Sequence, residues 1–371
     1  MRIARAVVHQ IELPLREPFV ISYARWEAMP SVVLELHTDD GHVGWGEAVP
    51  DEIVTGETAA ACAQVLEHVL LPAVVGHRPA DLQALHATMD ARIGGNPSAK
   101  AAVDLACHDL LGQQAGMPVH DLLGGRDEAA LTYPRVVSIG EPDRMAEQAD
   151  RAVADGYAAV KVKVGSGDAR LDVTRIRAVC EAVDHRVPVR VDVNQGWRSP
   201  ATAIEAVRGL GGLGVAWVEE PIAMGDVEGL AEVRRHSPVP IMADETCQGP
   251  ASLLRIVKAR AADLVNLKLM KTAGLHRAVQ MAGIAEAAGL TAQVGSMVES
   301  SIASAAGYHL AAARTVIHST ELTGPLLFSD DVGDLTYELP TVLLPQRPGL
   351  GVTVDRDALD RLTVRRTETT P

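Results

Sequence analysis

The chain of 371 residues, 47% of them hydrophobic, is long enough for a barrel of about 250 residues with a smaller companion domain around a large core. A formal charge of -14, from 48 acidic against 34 basic residues with no run of Lys or Arg, argues against nucleic acid and anionic membranes as partners and leaves small molecules. Cys62, Cys107, Cys180 and Cys247 follow no CxxC or Cys/His spacing, which argues against a zinc site or disulfide framework and for reduced thiols in a cytoplasmic protein. The start, MRIARAVVHQIELPL, alternates like a strand and lacks the apolar core of a signal peptide, and no stretch approaches 18 uncharged apolar residues.

Residues 1–46 read as a small antiparallel sheet: IARAVVHQIEL, a loop from Pro18 to Pro30, then SVVLELHT and VGWGEA across the turn DDG. Three helices follow, in ETAAACAQVLEHVLLPAVV, DLQALHATMDARI and PSAKAAVDLACHDLLGQQAG, the last opening on Pro97 and ending near Gly116. Residues 1–125 are therefore expected to form an α+β domain. From Leu131 the pattern becomes eight short Val-rich strands separated by amphipathic helices: TYPRVVSI, AAVKVKV, VPVRVDV, GVAWVEE, VPIMADE, DLVNLKL, LTAQVGS and TVIHSTE. A βα repeat of roughly 24 to 29 residues predicts a (β/α) barrel over 126–332; no GxGxxG loop favours the doubly wound alternative. The tail, 333–371, is expected to return to the first domain through a strand in GLGVTVD.

In AVKVKVG, Lys161 and Lys163 share a face opposite Val160, Val162 and Val164, and a buried ammonium needs compensating carboxylates. The ends of the following strands supply them. Read in order, the strand ends give Lys163, Asp192, Glu219, Asp244 and Lys268, all assignable to the inward face where barrel chemistry sits. Three converging carboxylates require a cation, and an all-oxygen set suits Mg²⁺, with Mn²⁺ as a substitute, better than zinc. The two lysines would flank a small-molecule carboxylate bound there. The metal would make its α-hydrogen acidic, one lysine would remove that proton, and the other could return it on the opposite face through an enediolate. For Lys163 to act as a base near neutral pH its pKa must fall, and Lys161 and the metal both push that way.

KVKVG, VRVDVNQGW, WVEEP, MADET, VNLKLMKTAGL and VGSMVESSI, in this order and spacing and together with GWGEAVP, DEIVTGET and HDLLGGR, are similar to the enolase superfamily and its muconate-lactonising subgroup. The resemblance spans nearly the whole chain and is greatest to dipeptide epimerases. It implies an α/β fold, a modified (β/α) TIM-like barrel under an α+β capping domain built from the N-terminal region and the C-terminal tail. It further implies Mg²⁺ on Asp192, Glu219 and Asp244, Lys163 and Lys268 as the acid/base pair, and Lys161 assisting Lys163 and contacting the substrate carboxylate. The activity implied is racemisation or epimerisation of a dipeptide or N-substituted amino acid by a homo-oligomer. Dehydratase, o-succinylbenzoate-synthase-like and lactonising chemistry use the same site, so these alternatives stay open.

One departure bears on substrate. Dipeptide epimerases of this type carry Asp-x-Asp at the end of the last barrel strand to hold the substrate ammonium, where this chain reads Glu321, Leu322, Thr323. That argues against L-Ala-L-Glu, while the retained Glu321 favours a cationic or ammonium-bearing substrate over a neutral one that hydrogen-bonds Thr323. Glu299 and Arg25 are further candidates for the pocket, Arg25 with Trp26 in the loop between Pro18 and Pro30. Lys271 is expected to be a solvated loop cation. The 13 histidines form no HExxH motif, and none is assigned to catalysis. A Schiff-base aldolase with Lys163 or Lys268 as nucleophile is disfavoured by the acidic trio, and a non-catalytic binding protein by the intact set of acid/base groups.

Overall fold

A computed structural model describes residues 1–125 and 131–369, so the expected boundary at 125/126 abuts 126–130, which lie outside the described residues. The first three strands are β1 (Ile3–Val20), β2 (Arg25–Thr38) and β3 (Val43–Ala48), antiparallel neighbours as the alternation requires. Val8, Leu34 and Leu36 face the cap helices on one side of this sheet, while Ile11, Leu13 and Val33 join the larger core that includes the barrel. The expected loop between Pro18 and Pro30 is instead the far end of a long hairpin, with Phe19 paired to Trp26 and Val20 to Arg25. Prolines lack the ladder N–H, and the pairing does skip between Pro14 and Phe19. It resumes where aromatic side chains can meet across the strands, Phe19 and Trp26 lying 6.2 Å apart.

Cap and barrel are joined by buried carboxylates. The helical segment Ala59–Val65 runs through a π turn into Leu71–Val74, followed by helices Leu82–Arg92 and Pro97–Ala115. Glu57 accepts from Ser98 N at 2.9 Å and Ala99 N at 3.1 Å, satisfying the first turn of Pro97–Ala115. That helix lies against β3 where a Cβ on Gly46 would fall 1.9 Å from Ala102 O. Glu47, fully buried on β3, accepts from Ser31 at 2.9 Å, from the Ser300 N and Oγ at 3.0 and 2.7 Å, and from Ala303 N at 3.0 Å. Burial pushes its carboxyl up to about 7 although the Ser300 and Ala303 donors pull it down. Glu47→Ala would leave three buried donors, Ser300 N, Ser300 Oγ and Ala303 N, without an acceptor, Ser31 keeping the Ala48 carbonyl, and we expect a loss of about 3 kcal/mol in denaturant unfolding; a loss below about 1 kcal/mol would show that water replaces the carboxylate.

The barrel strands are β4 (Arg135–Val137), β5 (Val160–Lys163), β6 (Val189–Asp192), β7 (Val215–Glu219), β8 (Ile241–Ala243), β9 (Leu264–Asn266), β10 (Thr291–Val294) and β11 (Ile317–Thr320). They form one parallel eight-stranded sheet in sequence order with helices between them, a modified (β/α) barrel beside the antiparallel cap. β4 and β11 end the order, and the sheet curls until the Thr320 hydroxyl reaches the Thr132 carbonyl at 2.8 Å. Val160, Val162 and Val164 turn outward into the apolar core, which leaves the opposite face of β5 for the lumen.

In the tail, β12 (Thr336–Glu338) and β13 (Thr341–Leu343) form a small hairpin bridged to Thr132. GLGVTVD is not a strand. Gly349 and Gly351 have φ of 78° and 68°, left-handed values that no strand accommodates, and only a single bridge links Gly349 to Pro118. The strand that completes the cap sheet is β14 (Thr363–Thr369), antiparallel to β1, in the order β14-β1-β2-β3. Its sequence, TVRRTET, carries charges on an edge and shows no apolar alternation. Among the described residues, no helix is long and apolar enough to cross a membrane.

Candidate active site

Strand register assembles the site. Lys163 pairs with Asp192 and Asp192 with Glu219 at the ends of β5, β6 and β7, so these three side chains point the same way at one level. Asp244 follows β8 directly and Lys268 lies two residues beyond Asn266, the last residue of β9. All five are buried, the carboxylates completely. Beneath them Arg190 stacks on Trp217 at 4.8 Å and gives the lumen a packed floor.

Lys161 Nζ lies 2.9 Å from Asp192 Oδ2, 2.9 Å from Glu219 Oε2 and 2.6 Å from Glu321 Oε2. Burial opposes its charge, but Asp192, Glu219 and Glu321 outweigh that and hold its pKa well above the usual lysine value. Lys163 Nζ lies 2.7 Å from Asp192 Oδ2 and 3.0 Å from Asn194 Oδ1. Across the acidic trio, Lys268 Nζ stands 2.8 Å from Asp244 Oδ2. Lys268 too is raised, since Asp244, Glu245 and Glu219 more than offset its burial. Burial would raise Asp192, yet Lys161 and Lys163 hold it down at about 2.

The donors fit a hard divalent ion. Burial first, and then the adjacent Asp192, raise Glu219 well above the carboxylate range, the cost of holding neighbouring carboxylates out of water. Asp244 Oδ2 meets the Lys268 ammonium and no other donor, and all three ligand candidates are oxygen donors. Among the described residues no three acidic, histidine or cysteine groups converge as a finished coordination shell. The Lys161 ammonium stands between Asp192 and Glu219, where it supplies part of the positive charge these carboxylates need.

The other candidates divide. Glu321 is buried and paired to Lys161, while its Oε1 has no hydrogen-bond partner. Thr323, nearly buried, lines a cavity of about 280 Å³ with Tyr133, Arg135, Ser138 and Leu326. Glu299 is buried but engaged by its own turn, accepting from Ser296 Oγ at 2.5 Å and Met297 N at 2.8 Å. Arg25 does not join the cluster; its guanidinium is 59% exposed and pairs with Glu27 at 2.9 Å on the hairpin, where Trp26 packs against Phe19. The expectation of a solvated Lys271 is overturned, because its side chain is 0% exposed and bound to Asp244 at 2.5 Å. Sequence reading also passes over Asn194 and over Asn266, whose Nδ2 donates to Glu219 Oε1 at 2.9 Å. The in-phase position of Asn266 on its strand is the signal that could have found it.

A second cavity, about 300 Å³, opens at the mouth between Tyr23 of the hairpin turn, Ile53, and Asn194, Gln195 and Arg198 beyond β6. Ser22 Oγ donates to Asn194 O at 2.7 Å and Tyr23 OH to Asp51 at 3.3 Å, so the cap hairpin is docked beside the site.

The profile described as mandelate racemase/muconate lactonizing enzyme, N-terminal domain, matches residues 3–124, and that described as enolase C-terminal domain-like matches 144–358. The chain is similar to an N-succinyl-L-Arg/Lys racemase of Bacillus cereus, 44% identical over 364 residues covering 98% of each chain. The crystal structure of that racemase superposes with a TM-score of 0.98 at 43% identity and 100% coverage of both chains. An L-Ala-D/L-Glu epimerase of Bacillus subtilis is 37% identical over 95% of this chain and 97% of its own. The structure of a dipeptide epimerase from Cytophaga hutchinsonii, complexed with Mg and D-Ala-L-Val, has a TM-score of 0.95 at 33% identity, covering 99% of this chain and 100% of that one.

Proposed function

The chain belongs to the mandelate racemase/muconate lactonizing enzyme family of the enolase superfamily and is a racemase or epimerase, and from this we propose that its substrate is an N-acylated amino acid. The observation that carries the substrate reading is the Lys161–Glu321 pair at 2.6 Å. The single carboxylate at the end of β11 already compensates a buried lysine, so a substrate ammonium there would have no negative partner of its own. Glu321 Oε1, buried without a donor, is instead suited to accept from an amide N–H, which brings no charge. Of the cationic or ammonium-bearing substrates expected from the sequence, this reading sets aside a free α-ammonium at Glu321 and leaves a cationic side chain elsewhere on the substrate open. The 44% identity to an N-succinyl-L-Arg/Lys racemase supports the acylated α-nitrogen, and the substrates in that name carry a cationic side chain.

Asp192, Glu219 and Asp244 would hold Mg²⁺, or Mn²⁺ in its place, and the bound ion would supply the Lewis acidity that makes the α-proton of a bound carboxylate removable. Lys163, held by Asp192 and Asn194, takes that proton from one face; Lys268, held by Asp244, takes it from the other. The packed floor of Arg190 and Trp217 closes the lumen below the lysines and keeps the exchange at the mouth. Four buried free thiols support a reducing, cytoplasmic setting.

Turnover of N-succinyl and N-acetyl amino acids against free dipeptides tests the reading. Wild type should prefer the acylated compounds and handle L-Ala-L-Glu poorly. Thr323→Asp, which restores a second carboxylate near Glu321, should raise kcat/KM for free dipeptides roughly 10- to 100-fold. Efficient turnover of L-Ala-L-Glu by wild type, unchanged in Thr323→Asp, would overturn the N-acyl assignment.

A further inference from the structure

Lys271 is the most deeply buried cation of the site. Its Nζ lies 2.5 Å from Asp244 Oδ1 and 3.1 Å from Asn266 O, and also donates to the backbone carbonyl of Asp244. Three acceptors use all three ammonium hydrogens. Lys268 immediately precedes the one-turn helix Leu269–Thr272 that carries Lys271, so one short turn brings two ammonium groups to the two oxygens of a single carboxylate. The turn is locked from the cap. Ala273 and Gly274 have φ of 59° and 99°, and a Cβ on Gly274 would fall 2.3 Å from Asp104 Oδ1, which accepts from Leu275 N at 2.5 Å.

Asp244 already has Lys268 as a counter-ion, and burying a second ammonium is costly unless it does something the first does not. What Lys271 alone does is occupy Oδ1 and tie it to the carbonyl of Asp244 itself and to that of Asn266 on β9, leaving Oδ2 to Lys268. We propose that Lys271 is the positioning residue of this arm, fixing the Asp244 carboxylate and thereby the place of Lys268. The opposite arm is built without it, because Lys163 is held by Asp192 and Asn194. Lys271 therefore acts more on the Lys268 arm than on the Lys163 arm, over a loss common to both because Asp244 also belongs to the metal set. This inference rests on the reading that Lys163 and Lys268 serve opposite faces of the substrate.

The test is α-proton exchange in D₂O by the Mg²⁺-loaded enzyme, measured separately from each enantiomer of an N-succinyl amino acid. Single alanine variants of Lys163 and Lys268 first identify which enantiomer each lysine serves. In Lys271→Met, exchange through Lys268 should fall roughly 10- to 100-fold further than exchange through Lys163, the scale of a reacting group displaced by about 1 Å, on top of the loss both share through Asp244. The surviving half-reaction reports that the variant is folded. Should Lys271→Met not fold, Lys271→Gln carries the same measurement, since its uncharged side chain is one bond too short to hold Asp244 and Asn266 together. A crystal structure of the variant without added Mg²⁺ gives a readout independent of activity, and the Asp244 carboxylate should be rotated in it. Equal loss from both enantiomers, or an unmoved Asp244, would make Lys271 a packing residue only and overturn the proposal. Wild-type enzyme that exchanges neither enantiomer of any acylated amino acid would instead sink the functional reading on which it stands.

Discussion

Lys163→Ala should abolish racemisation in both directions yet leave deuterium exchange from one enantiomer, and Lys268→Ala should leave exchange from the other. A full 1,1-transfer needs a proton taken on one face and delivered on the other, so either deletion stops it. A lone lysine can still remove a proton and return a deuteron on its own side. The loss in the deleted half-reaction should be roughly 10²- to 10⁴-fold, the usual contribution of a positioned acid or base. The geometry behind this is the separation of the two ammonium groups, one on Asp192 and Asn194 and the other on Asp244, with the acidic trio between them. Exchange of both enantiomers at the wild-type rate in either variant would remove that lysine from the mechanism.

Asp244→Asn should be the most damaging ligand substitution. The carboxylate is shared by Lys268 at 2.8 Å and Lys271 at 2.5 Å, so its loss removes a metal ligand and leaves two buried ammonium groups without their counter-ion. Activity should drop by at least about a thousandfold, equivalent to ~4 kcal/mol of transition-state stabilisation. Breaking the buried pairs should cost roughly 3–5 kcal/mol of stability as well, measured by denaturant unfolding without Mg²⁺. Asp192→Asn provides the contrast, because Lys161 keeps Glu219 and Glu321, and Lys163 keeps Asn194. Full activity of Asp244→Asn in exhaustive chelator would refute the metal assignment.

The barrel and its inward lysines and carboxylates were legible because strand periodicity is local: Val160 and Val162 cannot share a face with Lys161 and Lys163, and the strand ends follow from that. What the sequence concealed depends on contacts far along the chain. Lys271 reads as a loop cation three residues past Lys268, and only the turn locked by Asp104, from a helix of the other domain, folds it back under Asp244. The hairpin through Pro18 was hidden because proline argues against a strand locally, whereas cross-strand aromatic packing outweighs it. Glu321 kept its charge in the sequence but not its availability, since its engagement by Lys161 spans the gap between β11 and β5. GLGVTVD misled in the reverse sense, its valines suggesting a strand that two left-handed glycines forbid.

The pairing of β14 with β1 has a bearing on synthesis at the ribosome. β1 is made long before the residues that cover its outer edge, Ala6–Ile11 being paired by residues 363–369 and Leu15 bridged to Phe328. Until those residues are made, a long strand with unpaired backbone donors and acceptors stays open to other chains while the barrel strands fold in succession behind it. The cap sheet is thus begun before the barrel and completed after it. Arg365, Arg366 and Glu368 place charge on the strand that finally becomes the sheet's edge, which discourages further strand addition once the early vulnerability has passed.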